Sequence, residues 1–227
     1  MSDLLLSFFL GLVQGLTEFL PISSSAHLLL PSLIFGSNDL GLPFDIAVHA
    51  GTLVAVIYFF RTELILMTKS IFTNDDRLIE HRKLATYLII ATIPVIFAGL
   101  IFSNIIQERI FSISSIAISN LFFAVILLFA FLIRKSNKNL FQLTLYGALF
   151  IGIVQCFALI PGASRSGTAI TAALLIGMNL KDSSKFSFML GIPTILGALV
   201  LLIIEIQTLD ITYNLSLIHI SEPTRPL

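Results

Sequence analysis

The sequence has no tryptophan, a single cysteine and few charged residues. Charged residues make up 11% of its 227 positions, whereas a soluble domain carries about 25%. One cysteine excludes an internal disulfide, and a net charge of zero gives no reason to expect a nucleic-acid partner. The first 60 residues contain no lysine or arginine, so we expect no secretory signal peptide, which would begin with a basic region.

What the sequence does have is long apolar runs. Hydrophobic residues make up 56% of the chain, and the mean hydropathy is +1.00. Runs of this kind separated by short polar segments are typical of membrane-spanning helices. The sequence therefore predicts an all-α polytopic membrane protein whose longer helices cover about 44–68, 84–106, 112–134 and 186–206.

Four further apolar segments are too short to cross about 30 Å of hydrocarbon comfortably. They form two pairs, 4–20 with 24–35 and 140–160 with 166–178. Pro21 interrupts the first pair, and the segment PGASRSG interrupts the second. A helix broken at membrane depth is a common way to build a polar site there, so we interpret both pairs as re-entrant hairpins.

The two pairs belong to an internal repeat. Gly11-Leu-Val-Gln14 recurs as Gly152-Ile-Val-Gln155, and Pro21 with its serines recurs as Pro161 with Ser164 and Ser166. We therefore expect one membrane domain, 1–214, with repeats at about 1–139 and 140–214. The basic segments 69–83, 134–138 and 181–185 should face the cytoplasm. The hairpins then enter from opposite faces, which makes an inverted-topology repeat with a site near the midplane.

The second hairpin tip carries an arginine that would be costly at membrane depth without a function. Arg165 has a planar fork of donors that suits a phosphate group. Gly162 and Gly167 flank it and allow backbone N–H groups to approach an anion. With Ser164 and Ser166, the tip is predicted to bind phosphate. The alternative is that the Arg165 side chain only extends to the membrane surface and binds no phosphate.

The first hairpin tip offers a hydroxyl beside an imidazole. Ser23 and Ser24 precede His27 by four and three residues, so a helix places them on one face. This spacing suits a serine nucleophile with a general base or acid, and His27 is equally suited as phosphoryl acceptor or proton donor. The serines could instead be N-caps.

Three other polar side chains accompany this tip. Glu18, with Gln14 four residues before it, offers oxygen ligands for a hard divalent cation such as Mg²⁺ or Ca²⁺. A buried, protonated Glu18 is the alternative. Asp45 and His49 lie four residues apart at the start of a helix, and we interpret them as caps or supports for the site. A direct role in the site is the alternative.

Four longer segments carry a resemblance to a known family: GLTEFLPISSSAH, FDIAVHAGTL, QCFALIPGASRSG and FSFMLGIPTILGA. In order and over about residues 5–205, they resemble the signature blocks of the bacterial undecaprenyl-diphosphate phosphatases, or bacitracin-resistance proteins. The resemblance implies an inner-membrane enzyme that hydrolyses undecaprenyl diphosphate to the monophosphate and so recycles the lipid carrier for cell-wall synthesis. It also implies a divalent cation and a site open to the extracytoplasmic side.

The resemblance assigns roles residue by residue. The family's serine–histidine block matches Ser23, Ser24, Ser25 and His27, its arginine matches Arg165, and Thr168 is added to the phosphate-binding residues. Its acidic pair matches Gln14 and Glu18, and the glutamine departs from a two-carboxylate metal site. The ending LSLIHISEPTRPL resembles no family block, so we interpret 215–227 as a non-native tail after a truncated second repeat.

Two further points stay open at this stage. A carrier or flippase for polyprenyl phosphate is the alternative function, because many transporters share the inverted repeat. A carrier does not need a hydroxyl–imidazole pair. The expected partners are the polyprenyl diphosphate substrate and membrane lipid, and a homodimer is one of the assemblies left open.

Overall fold

The computed structural model describes residues 3–73, 75–108, 112–134 and 137–220, and helices joined by short irregular segments make up this part of the chain. Its only extended pairing there is an isolated bridge between Lys138 and Met178. The α-helices of the described residues are α1 (Asp3–Thr17), α2 (Ser24–Phe35), α3 (Gly41–Phe59), α4 (Arg61–Phe72), α5 (Ile79–Ile101), α6 (Ser103–Glu108), α7 (Ile113–Ile133), α8 (Leu145–Gln155), α9 (Arg165–Leu175) and α10 (Leu180–Ile220).

Three helical stretches within the described ranges are long and apolar enough to cross a membrane. They are Asp76–Ile101, Ile113–Ile133 and Leu180–Ile204. A bent pair, Pro43–Phe59 with Arg61–Phe72, is a fourth candidate if it counts as one span. The predicted all-α class is confirmed, and these helices agree with a polytopic membrane protein.

The first predicted break lies between α1 and α2. Serine is a favoured N-cap, and the Ser23 hydroxyl accepts a hydrogen bond from the backbone N–H of Ala26 at 3.3 Å, so α2 begins at Ser24 as predicted. At the other end Gly36 adopts φ 65°, the left-handed conformation that ends helices without a Cβ penalty. Glu18 and Ser23 lie in the segment between α1 and α2, and Ser24 begins α2.

The second predicted break separates α8 from α9. After α8 a 3₁₀ turn covers Cys156–Leu159, and Gly162 follows with φ 94°. The Ser164 hydroxyl then caps α9 by accepting from the N–H of Gly167 at 3.1 Å. Arg165 is consequently the first residue of a helix, beside the helix's unpaired N–H groups.

The structure differs from the sequence-based prediction at 44–68, which is not one helix. The chain bends by 76° between α3 and α4, at Phe60. Neither proline nor glycine marks this position. Arg61 donates from Nη1 to the carbonyl oxygen of Tyr58 at 2.8 Å, which satisfies an acceptor freed by the break. Lys185 of α10 donates to Glu63 at 2.7 Å and ties α4 to the bundle.

The other predicted boundaries shift by smaller amounts. The helix predicted at 84–106 is divided into α5 and α6. The last helix begins at Leu180 and continues to Ile220. Its backbone therefore includes part of the expected tail 215–227, whose remaining residues, 221–227, lie outside the described ranges.

The main core is shared by α3, α5, α8, α9 and α10. Its fully buried members include Ala91, Ile151, Ala172, Phe186 and Leu190. α8 packs closely on α5, and a Cβ added at Gly152 would collide with the Ala91 backbone. This close packing holds the second break rigidly against the long helices.

Candidate active site

The two helix breaks meet each other directly. The hydroxyls of Ser166 and Ser164 donate to the carbonyl oxygen of Leu20, at 2.8 and 3.4 Å. Arg165 forms an ion pair with Glu18 across the same junction. The side chains are almost completely buried, with 3% of Glu18 and 16% of Arg165 exposed. The expectation that both tips contribute to one site therefore has a direct geometric basis.

The Glu18 carboxylate is the centre of this junction. Its Oε2 atom accepts from Nε2 of Gln14 at 2.7 Å and from the hydroxyl of Ser24 at 2.8 Å. Nε2 of His49 lies 3.3 Å from the same oxygen. Oε1 accepts a hydrogen bond from Nη2 of Arg165. A serine hydroxyl that donates to a buried carboxylate has a base ready to accept its proton.

A cavity of about 270 Å³ opens beside Glu18. Its polar wall is formed by residues from both breaks, α3 and α10: Glu18, Ser23, Ser24, Ser25, Asp45, His49, Ser164, Arg165 and Thr194. The remaining lining is mainly apolar, including Leu29, Val95 and Ile195. A few convergent polar groups in an apolar cavity are typical of a small-molecule site.

The three serines of the first break have different partners. Ser24 donates to Glu18, whereas Ser23 caps α2 and lies 3.1 Å from the hydroxyl of Ser25. Ser23 thus fulfils the N-cap reading of the sequence, and Ser24 takes the position that suits a nucleophile.

The structure places His27 and His49 differently from the sequence-based expectation. Nδ1 of His27 faces the carbonyl oxygen of Ser23 at 2.7 Å. Of these two histidines, only His49 lines the cavity, as far as the described residues define its wall. The spacing of His49 from Asp45 in the sequence led us to interpret it as a support for the site. No local signal shows that α3 brings its ring to Glu18.

The predicted phosphate-binding residues of the second break line two different cavities. Arg165 lines the cavity beside Glu18, whereas Gly162, Gly167 and Thr168 line a second cavity of about 300 Å³. Ser164 borders both. That second cavity has an aromatic wall formed by Phe122, Phe123 and Phe157.

Close neighbours explain why two positions of this segment are glycine. A Cβ at Gly162 would lie 2.5 Å from the carbonyl oxygen of Ile116 on α7, in addition to its positive φ. A Cβ at Gly167 would lie 3.1 Å from that of Ser164. Both glycines therefore allow tight packing of the break. From the sequence, they were expected to let backbone N–H groups approach an anion.

The expected cation would have Gln14 and Glu18 as ligands. Within the described ranges no three or more histidine, cysteine, aspartate or glutamate residues form a group that could hold a metal. Gln14 is fully buried, and its Oε1 atom has no hydrogen-bond partner among the described residues. One carboxylate and one amide oxygen fit a Mg²⁺ ion, which takes few protein ligands and completes its shell with waters and substrate phosphates.

Comparisons with known proteins identify the family of this chain. The family model described as bacitracin resistance protein BacA matches residues 7–221. A protein of Saccharophagus degradans named undecaprenyl-diphosphatase is 48% identical, covering 85% of this chain and 73% of that protein. Similar proteins with the same name occur in Alcanivorax borkumensis, at 47% identity over 83% and 72%, and Marinobacter nauticus, at 41% over 92% and 80%. This chain belongs to the BacA family of bacitracin resistance proteins.

Proposed function

We propose that this protein hydrolyses undecaprenyl diphosphate to undecaprenyl phosphate and inorganic phosphate in a bacterial membrane. The names of its relatives and its family supply the substrate. The observation that carries the chemistry is the hydrogen bond from the Ser24 hydroxyl to Glu18, with Arg165 paired to the same carboxylate. The reaction would recycle the lipid carrier and explain bacitracin resistance.

Arg165 is proposed to bind the terminal phosphate. One of its terminal nitrogens, Nη2, contacts Glu18, while Nη1 is buried without a partner among the described residues. The guanidinium thus retains donor capacity that a phosphate oxygen could use. Its position depends on Gly191 of α10, where any Cβ would collide with it.

Ser24 is proposed to attack the terminal phosphorus. Its proton passes to Glu18 as the Oγ–P bond forms, and the P–O bond to the bridging oxygen breaks. Undecaprenyl phosphate leaves with that electron pair. Water then attacks the phosphoserine, Glu18 returns the proton to the Ser24 oxygen, and inorganic phosphate is released. Direct attack by water or by His27 is the alternative that isotope tracing or trapping would reveal.

Ser23, Ser25, Ser164 and Ser166 would add hydroxyl donors around the phosphate. If the second break rearranges on substrate binding, Gly162 and Gly167 would add backbone N–H groups and Thr168 a further hydroxyl. His27 would donate a proton to the leaving group if its ring turned from the Ser23 carbonyl towards the cavity. A divalent cation held by Glu18 and Gln14 would neutralise charge on the diphosphate.

The membrane arrangement extends the same proposal. The basic segments 69–83, 134–138 and 181–185 would face the cytoplasm. With that orientation the two broken pairs, α1–α2 and α8–α9, would be re-entrant hairpins of an inverted repeat. The cavity beside Glu18 would then open to the extracytoplasmic side of the inner membrane.

Phosphate release tests the proposal. Purified protein in detergent should release one inorganic phosphate per undecaprenyl phosphate formed, and an Arg165→Ala variant of normal folding should release almost none. The proposal fails if the wild-type protein releases no phosphate. Movement of polyprenyl phosphate across proteoliposomes without hydrolysis would favour the carrier function instead.

A further inference from the structure

His49 lies on α3 with both ring nitrogens facing oxygen atoms. Nδ1 is 2.5 Å from the carbonyl oxygen of Asp45, one helical turn earlier. A carbonyl oxygen can only accept, so Nδ1 carries a proton and donates it. The backbone of α3 therefore fixes the orientation of the ring and directs Nε2 towards Glu18, 3.3 Å away. A carboxylate oxygen also only accepts, so His49 holds Glu18 as an imidazolium, with a proton on Nε2 as well as on Nδ1.

The oxygen that His49 faces is the one that receives the Ser24 proton in the proposed reaction. Ser24 donates to Oε2 of Glu18, and His49 approaches this atom from α3. Arg165 holds only Oε1. When substrate binds, a phosphate oxygen accepts from the unpartnered Nη1 of Arg165. The guanidinium charge then serves the phosphate as well as Glu18, which weakens its hold on the carboxylate. His49 then keeps Oε2 turned towards Ser24, together with Gln14, whose Nε2 donates to the same oxygen at 2.7 Å.

We infer that His49 is a positioning residue that holds the Glu18 carboxylate in line with the Ser24 hydroxyl. The inference rests on the proposed phosphatase function of the same site. It assigns a chain of three groups, in which Ser24 attacks, Glu18 accepts the proton and His49 orients Glu18. A nucleophile, a base and a group that orients the base form a recurrent catalytic arrangement.

Three variants test the role of His49. His49→Ala removes the contact to Glu18, whereas His49→Gln retains an N–H group at nearly the same reach as Nε2. His81→Gln is the matched control, because this ring stacks edge-on against Phe141, away from the cavity. Kinetics are measured on full-length protein in detergent, with undecaprenyl diphosphate, for preparations of equal Tm.

The expected result is a split between kcat and KM. His49→Ala should lower kcat about 10- to 100-fold, as loss of an orienting partner typically does, and leave KM near the wild-type value. His49→Gln should recover most of kcat, and His81→Gln should behave as wild type. An unchanged kcat in His49→Ala, a higher KM alone, or a Gln variant no better than the Ala variant would overturn the assignment.

A spectroscopic measurement tests the contact without turnover. NMR spectra are recorded on protein labelled with ¹⁵N-histidine. The signals of His49 are identified as those that disappear in the His49→Gln variant. Glu18→Gln should move the Nε2 signal of His49 and leave that of His81 in place. An unmoved His49 signal contradicts the contact even where an alanine variant fails to fold. Wild-type protein that releases no phosphate contradicts the proposed function, whereas hydrolysis unaffected by His49→Ala contradicts only the inference about His49.

Discussion

Glu18 and Arg165 form an ion pair although 147 positions separate them in the sequence. Glu18 follows α1, and Arg165 begins α9, so the pair joins the two helix breaks. Removing one partner from a buried pair leaves the other charge uncompensated, which is strongly destabilising at that point. The pair therefore couples the fold of the two halves to the geometry of the site.

Replacement of Arg165 should abolish turnover even when the positive charge is kept. Arg165→Ala should lower kcat by about 10²- to 10³-fold, the usual effect of losing one donor to a developing charge. Arg165→Lys should recover little, because an ammonium group cannot contact Glu18 and a phosphate with the same planar fork. Arg77→Lys, at an exposed arginine in the loop before α5, is the control. Near-normal activity of Arg165→Lys would show that charge alone suffices.

Ser24 should carry the phosphoryl group for part of the cycle. Rapid acid quenching during turnover should yield protein heavier by one phosphoryl group, with the label on the peptide that contains Ser24. Ser24→Ala should lose both the label and the activity. Ser32→Ala removes another α2 hydroxyl, one that donates to the Leu29 carbonyl, and should retain both. Solvent oxygen appearing in phosphate with no labelled protein would favour direct attack by water.

A divalent cation should be required, and Gln14 should limit its affinity. Chelation should stop phosphate release, and Mg²⁺ or Ca²⁺ should restore it. Gln14→Glu adds a second carboxylate beside Glu18 and should lower the Mg²⁺ concentration needed for half-maximal activity. The same ion should raise the Tm without substrate, because binding to the folded state stabilises it. Activity that resists chelation would remove the cation from the proposal.

His27 should be essential, and two variants distinguish an acid–base role from a structural one. His27→Ala should fold and barely turn over. His27→Asn keeps a donor for the Ser23 carbonyl, which Nδ1 of His27 contacts, and removes the second ring nitrogen. If His27 acts as acid or base, the asparagine variant should be as inactive as the alanine variant. High activity of His27→Asn would reduce His27 to a support for the start of α2.

Local sequence signals predicted the helix breaks well. Pro21 and the serines after it placed the start of α2 at Ser24, and the PGASRSG segment placed the start of α9 within a residue of Arg165. Proline and N-cap chemistry act on the nearest turn, so the sequence alone reveals them. The meeting of Glu18 with Arg165 was expected only because both tips carry costly polar groups.

Features that depend on packing between distant helices were not predictable in the same way. The bend between α3 and α4 has no proline or glycine, and its freed carbonyl is satisfied by Arg61. His49 reaches Glu18 because α3 packs against α1. Spacing from Asp45 gives only the face of α3 on which His49 lies. The face of PGASRSG that meets the cavity likewise depends on how α7 and α8 hold the break.

Gly11 and Gly152 occupy corresponding positions of the predicted repeat, yet alanine should affect them differently. A Cβ at Gly152 would collide with the Ala91 backbone on α5, and backbone cannot turn aside as a flexible side chain can. Gly152→Ala should therefore separate α8 from α5 and destabilise the protein by about 1–3 kcal/mol, the usual cost of overpacking. A Cβ at Gly11 meets no described atom within 4 Å, so Gly11→Ala should keep or slightly raise the Tm, since alanine favours helix. Thermal unfolding in one detergent compares the two variants. Equal Tm values would show that α8 and α5 do not pack as closely as described.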